Sequence, residues 1–392
     1  MISTLLLTYI VAIGAAFLLF EQIADLKSEV WQKRAVLIVS VLLIGWLDFY
    51  SLLLLTLYST FIIYVIKKRL SLFDNILWFV ILNVLLLIFI KDYYLLFDIQ
   101  TIYVPLGVSY YFFRLIALVI EYSKHKKHYE EIPLLDYYVY VFFFPIFLAG
   151  PIQRFRDFYR LKTPLTTKER KKKYFYLLFV FLVKIVIIDA ILFYLAYSRY
   201  YTAMVHDLNH HVISYKIFLF GFIAFIHAYM DLMIYTEISK TIATLLGFSK
   251  QENFNKPLLA TNISQFWQSW HMSLSNWTRD YVFFPTLIKT KKVWISTYAS
   301  MFMIGIWHSI SFNWLFWAFM HGSALNFYLW LRNTALFQKL SKHQVFNLLL
   351  RIFGNISTIA FVSFVFIIVA IHDKDVIVQL GQTIWSLLKG YI

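Results

Sequence analysis

The chain has 392 residues, of which 61% are hydrophobic, 20% aromatic and 15% charged, with a net charge of +15 and no cysteine. A soluble domain carries about 25% charged and 45–50% apolar residues, so a soluble globular class is excluded. The missing cysteine excludes disulfides, thiolate nucleophiles and cysteine-ligated metals. The basic residues stand in short clusters between apolar runs, as cytoplasmic loops facing anionic lipid do, and no nucleic-acid partner is expected. The apolar runs are continuous rather than alternating, and Gly and Pro number only 11 and 7. Long membrane helices are therefore expected, not a β-barrel.

In chain order, residues 2–20 lack a basic leader and a cleavage site and read as a retained span. Residues 35–66 exceed one ordinary span and are broken at Gly45-Trp46-Leu47-Asp48, which predicts a helical hairpin closed by Lys67-Lys68-Arg69. Residues 73–90 cross back, and 105–122 return to Lys124-His125-Lys126-Lys127. Residues 134–150 are apolar but short and have basic clusters on both sides, the second running through Arg154, Arg156, Arg160, Lys162 and residues 170–173. A re-entrant or shallow element keeps both clusters on one face, provided protein or a water-filled cavity surrounds it.

Residues 174–197 and 213–235 predict an out-and-back pair with a polar loop, 206–211, outside. The stretch 236–292 mixes Asn, Gln, Ser and His with many aromatics, as a segment lining a cavity within the membrane domain would. Residues 293–310 and 312–331 form a second hairpin, 345–371 a last span, and 375–392 an amphipathic tail lying along the membrane surface. The expected architecture is all-α: one polytopic transmembrane domain over 1–392, of about nine to eleven spans with re-entrant and amphipathic helices. Residues 236–310 carry its active-site region.

Ionisable residues inside apolar runs cost about 2.5–3.5 kcal/mol on insertion scales and so mark candidate sites. They are Asp48, Arg114, Lys184, Asp189, His227, Asp231, His271, Asp280, His308 and His321. His308 ends an apolar span in Gly305-Ile306-Trp307-His308. A neutral imidazole there is a proton acceptor near neutral pH, or else simply a helix-end histidine bonded to a carbonyl. His271 lies in Phe266-Trp267-Gln268-Ser269-Trp270-His271-Met272-Ser273, where it either holds a substrate or packs among tryptophans. Arg279 and Asp280 pair with each other or meet substrate. His321 is a second cavity histidine or a structural one. His227 and Asp231 share a helix face as a relay or a buried pair. Lys184 and Asp189, five apart, share a face less well. His206 and His210 have i, i+4 spacing, with His211 beside them, but no carboxylate beyond Asp207, and no metal is expected.

These residues resemble the membrane-bound O-acyltransferase family, in the branch of alginate O-acetyltransferases and teichoic acid D-alanyl transfer proteins. The likeness runs over most of the chain. It comprises Gly45-Trp46-Leu47-Asp48, Pro105-Leu106-Gly107-Val108-Ser109-Tyr110, Phe144-Pro145 and Ala149-Gly150-Pro151-Ile152-Gln153-Arg154. Its longest block joins Glu252-Asn253-Phe254-Asn255-Lys256-Pro257, the segment 266–275 and Trp277-Thr278-Arg279-Asp280-Tyr281, followed by Gly305-Ile306-Trp307-His308. His271 and His308 are 37 residues apart, within the family's range for its two active-site positions. The chain departs from the family at Ser309, where glycine is usual, and near residues 364–370, where a late aromatic element is not intact. Arg114 resembles the D-alanyl branch, while 150–153 and 252–255 lean toward the acetyl branch.

The resemblance implies an O-acyltransferase of the bacterial cell membrane. It implies His308 as general base and His271 as the group that orients the acceptor or steadies the tetrahedral intermediate. Substrate contacts would come from Trp267, Trp270, Ser273, Arg279, Asp280, Trp307 and His321. It further implies no bound cofactor, with acyl-CoA or an acyl-phosphopantetheine carrier as donor. The expected partners are membrane lipids and an envelope polymer or extracytoplasmic protein as acceptor. The acyl group is acetyl on the main reading and D-alanyl on the alternative. A transporter, the competing class, predicts inverted repeats, and none is visible.

The charge clusters generate a topology test. Cysteines introduced singly at Lys67, Lys124 and Arg170 of this cysteine-free chain should react with an impermeant thiol reagent only after the membrane is opened. Labelling of any of the three in intact cells would refute a common cytoplasmic face.

Overall fold

Lipid offers a peptide group no hydrogen bond, so a spanning segment must close its hydrogen bonds internally, and the computed structural model of this chain is helical with no strand among the described residues. The structure describes residues 22–68, 76–97, 104–158, 165–249, 251–371 and 374–389, except 24, 25, 27, 148, 149 and 211. The expected first span at 2–20, together with Arg69, Ala149, Arg160, Lys162 and His211, lies outside the described residues. Five stretches among those described are long and apolar enough to cross a membrane: Glu29–Leu47, Phe49–Lys68, Thr167–Asn209, Tyr215–Leu245 and Gln344–Ala370. The chain divides into two compact units, one of residues 1–177 with 235–252 and the other of 178–234 with 253–392.

In the first unit, α1 (Glu29–Leu47) and α2 (Phe49–Lys68) meet at Asp48, whose backbone is extended. Asp48 is a helix cap: its carboxylate accepts the amides of Tyr50 and Ser51 at 3.1 and 3.3 Å and the Ser51 hydroxyl at 2.5 Å. These bonds satisfy orphan donors at the start of α2, which explains an acidic residue between two apolar helices. Helix α3 (Ile76–Phe97) follows. Gly107, at φ +67°, turns the chain into α4 (Val108–Lys124), then α5 (Lys126–Glu130).

Helix α6 (Leu134–Phe142) has nine residues, about 13 Å at 1.5 Å per residue, too short to cross about 30 Å of hydrocarbon. The irregular backbone that follows is buried at 150–154, as a re-entrant element requires. Gln153 holds it, donating to Ser249 Oγ and to the Asp157 carbonyl, both at 2.8 Å. Buried Arg114 donates to the carbonyl of Tyr140 and lies over that residue's ring at 4.2 Å. Arg114 thus braces α4 against the re-entrant element.

A continuous helical stretch runs through α7 (Thr167–Val183), a π-helical segment (Lys184–Tyr197) and α8 (Ser198–Asn209). The 31-residue α9 (Tyr215–Leu245) follows. In the second unit, buried Lys184 donates to Asp189 Oδ1 at 2.6 Å and to Asp231 Oδ1 at 2.5 Å. Both pairings differ from the α-helical expectation. The π geometry, with its i to i+5 repeat, brings Lys184 and Asp189 together. Asp231 pairs with Lys184 rather than His227, whose ring packs on Phe193 and Tyr197 at 5.5 and 5.9 Å.

The remaining elements of this unit are α10 (Ile263–Ser269), α11 (Met272–Thr278), a π turn (Arg279–Phe283), α12 (Phe284–Thr290), α13 (Val293–His308), α14 (Phe312–Arg332), α15 (Ala335–Ser341), α16 (Gln344–Ala370) and α17 (Lys374–Lys389). The expected hairpin is α13 and α14, joined by residues 309–311. Two glycines let its helices approach: a Cβ on Gly305 would lie 2.7 Å from the Trp314 carbonyl oxygen and 2.9 Å from Ala318 Cβ, and one on Gly322 2.5 Å from Tyr298 Cδ1. Small residues on a membrane helix face have this packing use.

Gly305→Val should therefore force α13 from α14 and cost about 1–3 kcal/mol, the range for overpacking. The check is the melting temperature of purified protein in detergent. An unchanged value would show that the close approach is not required.

Candidate active site

The tight hairpin places α13's last residue, His308, back against α14. Its imidazole stacks on the Trp314 indole with centroids 3.8 Å apart and planes 7° apart, and meets Trp317 edge-on at 6.3 Å. His308 is half-buried. Ser309, the departure from the family's glycine, has an extended backbone at φ −171°, which any residue adopts, and its amide donates to the Gly305 carbonyl at 3.0 Å. Serine therefore introduces no strain at this turn.

His271 reaches the same cluster from the α10–α11 junction. Its backbone is left-handed, φ 40° and ψ 53°, a conformation costing a residue with a Cβ about 1–2 kcal/mol. The surrounding backbone holds it there. Asn253, fully buried, accepts the Met272 amide on its carbonyl at 2.8 Å and the Ser273 amide on its side-chain oxygen at 3.0 Å. The Asn255 amide donates to the Ser269 carbonyl at 2.9 Å. The Asn253-x-Asn255 stretch thus clamps the turn from both sides of His271. The imidazole is 3% exposed, meets Trp307 edge-on at 6.0 Å, and has no partner among the described residues for either ring nitrogen. Burial pushes its pKa down to about 4, so the ring is neutral at physiological pH.

Trp307 lies 4.2 Å from His308, centroid to centroid, so one indole contacts both imidazoles. His321, fully buried on α14, completes the cluster 4.4 Å from Trp317. Its Nδ1 accepts from Trp267 Nε1 at 3.3 Å, which puts the ring proton on Nε2, an atom without a partner among the described residues. Trp267 also packs edge-on to Trp317 at 5.6 Å.

Of the residues singled out from sequence, the structure brings together His271, Trp307, His308, His321 and Trp267. Trp270 packs elsewhere, among Phe225, Tyr229, Phe254 and Phe266 at 5.3–5.7 Å. Ser273 is buried with its amide on Asn253. Arg279 and Asp280 pair at 2.8 Å on the π turn, the arginine half-exposed. Trp314, Trp317 and Asn253 were not singled out. The signal for the two tryptophans is spacing: they stand three apart on one face of a helix that folds straight back from His308. For Asn253 no single-residue signal exists, because its role depends on a contact 20 positions away. No group of three or more His, Asp or Glu that could hold a metal occurs among the described residues.

The pKa of His271 gives a pH test. Its folded value lies below the ordinary 6.5, so between about pH 6.5 and 4 the unfolded chain binds a proton that the native chain does not, and stability falls as pH falls. Wild type should lose more melting temperature than His271→Gln between pH 7.5 and 4.5. Equal losses would mean that the buried imidazole does not carry this dependence.

The family model described as MBOAT, membrane-bound O-acyltransferase family, matches residues 38–368. The chain is 30% identical over 236 residues to a teichoic acid D-alanyltransferase of Bacillus subtilis, covering 57% of this chain and 58% of that protein. It is 27% identical over 238 residues to a probable alginate O-acetylase AlgI of Pseudomonas putida, covering 58% and 46%. It is 24% identical over 206 residues to a peptidoglycan O-acetyltransferase of Helicobacter pylori, covering 49% and 37%. The chain thus spans roughly half the length of the curated relatives it matches. The matched region contains His271, His308 and His321, and together with the apolar helices it makes this a multi-pass membrane protein. With the family model covering most of its length, the chain belongs to the membrane-bound O-acyltransferase family.

Proposed function

We propose that this protein moves an acyl group, acetyl on the main reading, from a thioester donor to a hydroxyl of a cell-envelope polysaccharide or its carrier partner. The observation carrying the proposal is the histidine–tryptophan cluster, in which a half-buried His308 at a helix end contacts the same indole as a buried, neutral His271. His308 accepts the proton of the acceptor hydroxyl as that oxygen attacks the thioester carbonyl carbon. The tetrahedral intermediate then collapses, the carbon–sulfur bond breaks, and the departing thiolate takes the proton back from the imidazolium. His271, whose two ring nitrogens are open to hydrogen bonds, orients the acceptor or steadies the intermediate. Of the other residues assigned substrate contacts, Trp307 and Trp267 border this cluster, and His321 positions Trp267 through their hydrogen bond.

The donor is acyl-CoA or an acyl-phosphopantetheine carrier. The acceptor is an envelope polymer, reached directly or through an extracytoplasmic partner protein. The setting is the cytoplasmic membrane of a bacterium, with residues 1–392 acting as one catalytic domain. Excluding water from the aromatic cluster protects the thioester from hydrolysis. D-Alanyl transfer to teichoic acid is the second reading, favoured by the 30% identity to the Bacillus subtilis D-alanyltransferase. The acetyl reading draws on the alginate and peptidoglycan relatives.

General base catalysis contributes about 10²–10⁴-fold, so His308→Ala should lower acyl transfer by at least about a hundredfold in a protein that inserts and elutes like wild type. His308→Gln should fail equally, because an amide cannot act as a base. His271→Asn should retain part of the activity lost in His271→Ala. The measurement is transfer of labelled acetyl, or labelled D-alanine, to envelope polymer. Near-wild-type transfer by a well-folded His308→Ala protein would sink the mechanism.

A further inference from the structure

A cavity of about 570 Å³ lies between facing sides of α14 and α16, with α15 and residues 261–263 completing its wall; it touches the histidine cluster only through Phe361, whose ring lies 5.2 Å from that of His321. Its α14 face recurs at helical spacing through Phe327, Tyr328 and Leu331, and its α16 face through Leu350, Phe353 and Phe361. The third wall is fixed, because Asn355 Nδ2 donates to the carbonyls of Leu258 and Ala260, both at 2.9 Å. The lining is mostly apolar, with one charge, Arg351.

Arg351 has no acidic partner and makes no hydrogen bond among the described residues. It stands seven residues into α16, one of the stretches able to cross a membrane. Arg351 is exposed, and a guanidinium there is costly in hydrocarbon unless it reaches the interface, where water or an anion meets it. The chain supplies none nearby in sequence: no Asp or Glu occurs between residues 281 and 372. Instead Arg332, Lys339 and Lys342 stand on the same short connection between α14 and α16. A run of basic residues beside a span attracts anionic lipid.

We propose that this cavity is a binding site for one anionic phospholipid from the bilayer, its phosphodiester on Arg351 and the start of its acyl chains against Phe327, Leu331 and Phe353. The charge complementarity selects an anionic headgroup, and the apolar lining selects an amphiphile over a free anion.

The test uses the full chain, purified in detergent, with bound lipid counted by native mass spectrometry. Phosphatidylglycerol should be retained at one tight site and phosphatidylcholine should not. Arg351→Gln should weaken phosphatidylglycerol binding at least about tenfold, and Arg351→Lys by less. Phe337→Asp, which puts a carboxylate on the cavity wall and leaves Arg351 in place, should weaken it too and covers the case of an Arg351→Gln protein that fails to fold. Equal retention in wild type and a folded variant would overturn the proposal. So would displacement of the lipid by inorganic phosphate or coenzyme A at low micromolar concentration, since the cavity would then be a free-anion or donor site.

Discussion

A polar atom withdrawn from water must find its partner inside the chain, and in this protein that constraint orders both the scaffold and the site. The scaffold obeys it with local devices. Asp48 gives both carboxylate oxygens to the first turn of α2. Lys184 bridges two aspartates. Gln153 ties buried irregular backbone to Ser249 and Asp157. Each removes an ionisable or polar residue of an apolar segment from the set of free reactive groups and turns it into a fastening.

The histidine cluster departs from that pattern, and the departure is what marks it. Both ring nitrogens of His271 and the Nε2 of His321 are buried without a partner among the described residues. A native interior tolerates few such atoms, and each calls for an explanation. On the proposed function, these unmade bonds, held by a rigid surround, are pre-organised contacts for a substrate. The surround here is aromatic and stiff. Trp307 and Trp317 each contact two of the imidazoles, and Trp314 covers one face of His308. The left-handed turn at His271 is a strain held in place by Asn253, so the position of the imidazole is set by hydrogen bonds well removed from the ring itself.

The glycine of Gly-Ile-Trp-His acts through packing. It carries no functional group, yet its missing Cβ lets α14 approach α13 and puts Trp314 on His308. His321 and Trp317 meet along α14 itself, four residues apart on one helix face with ring centroids 4.4 Å apart. A motif that reads as a signature in sequence is in this sense a packing requirement.

Much of the architecture was legible from hydropathy alone, because a 20-residue apolar run can satisfy its backbone in one way only. The breaks at Asp48 and at 309–311, the short element at 134–142 and the long last span follow from run length and from the residues that interrupt it. His271 and His308 stood out as candidates in the sequence by their placement in apolar, aromatic surroundings and by the resemblance of their flanking motifs. Tertiary structure decided what depends on contacts between distant segments. It paired Lys184 with Asp231 through a π-helical register that α periodicity does not anticipate. It sent Trp270 into an aromatic packing group while drawing Trp314 and Trp317 to the histidines. It made Asn253 the clamp of a strained turn. Periodicity reports which face of one helix is apolar; which side chain meets which across two helices is set by their approach distance and rotation, and no single segment contains that information.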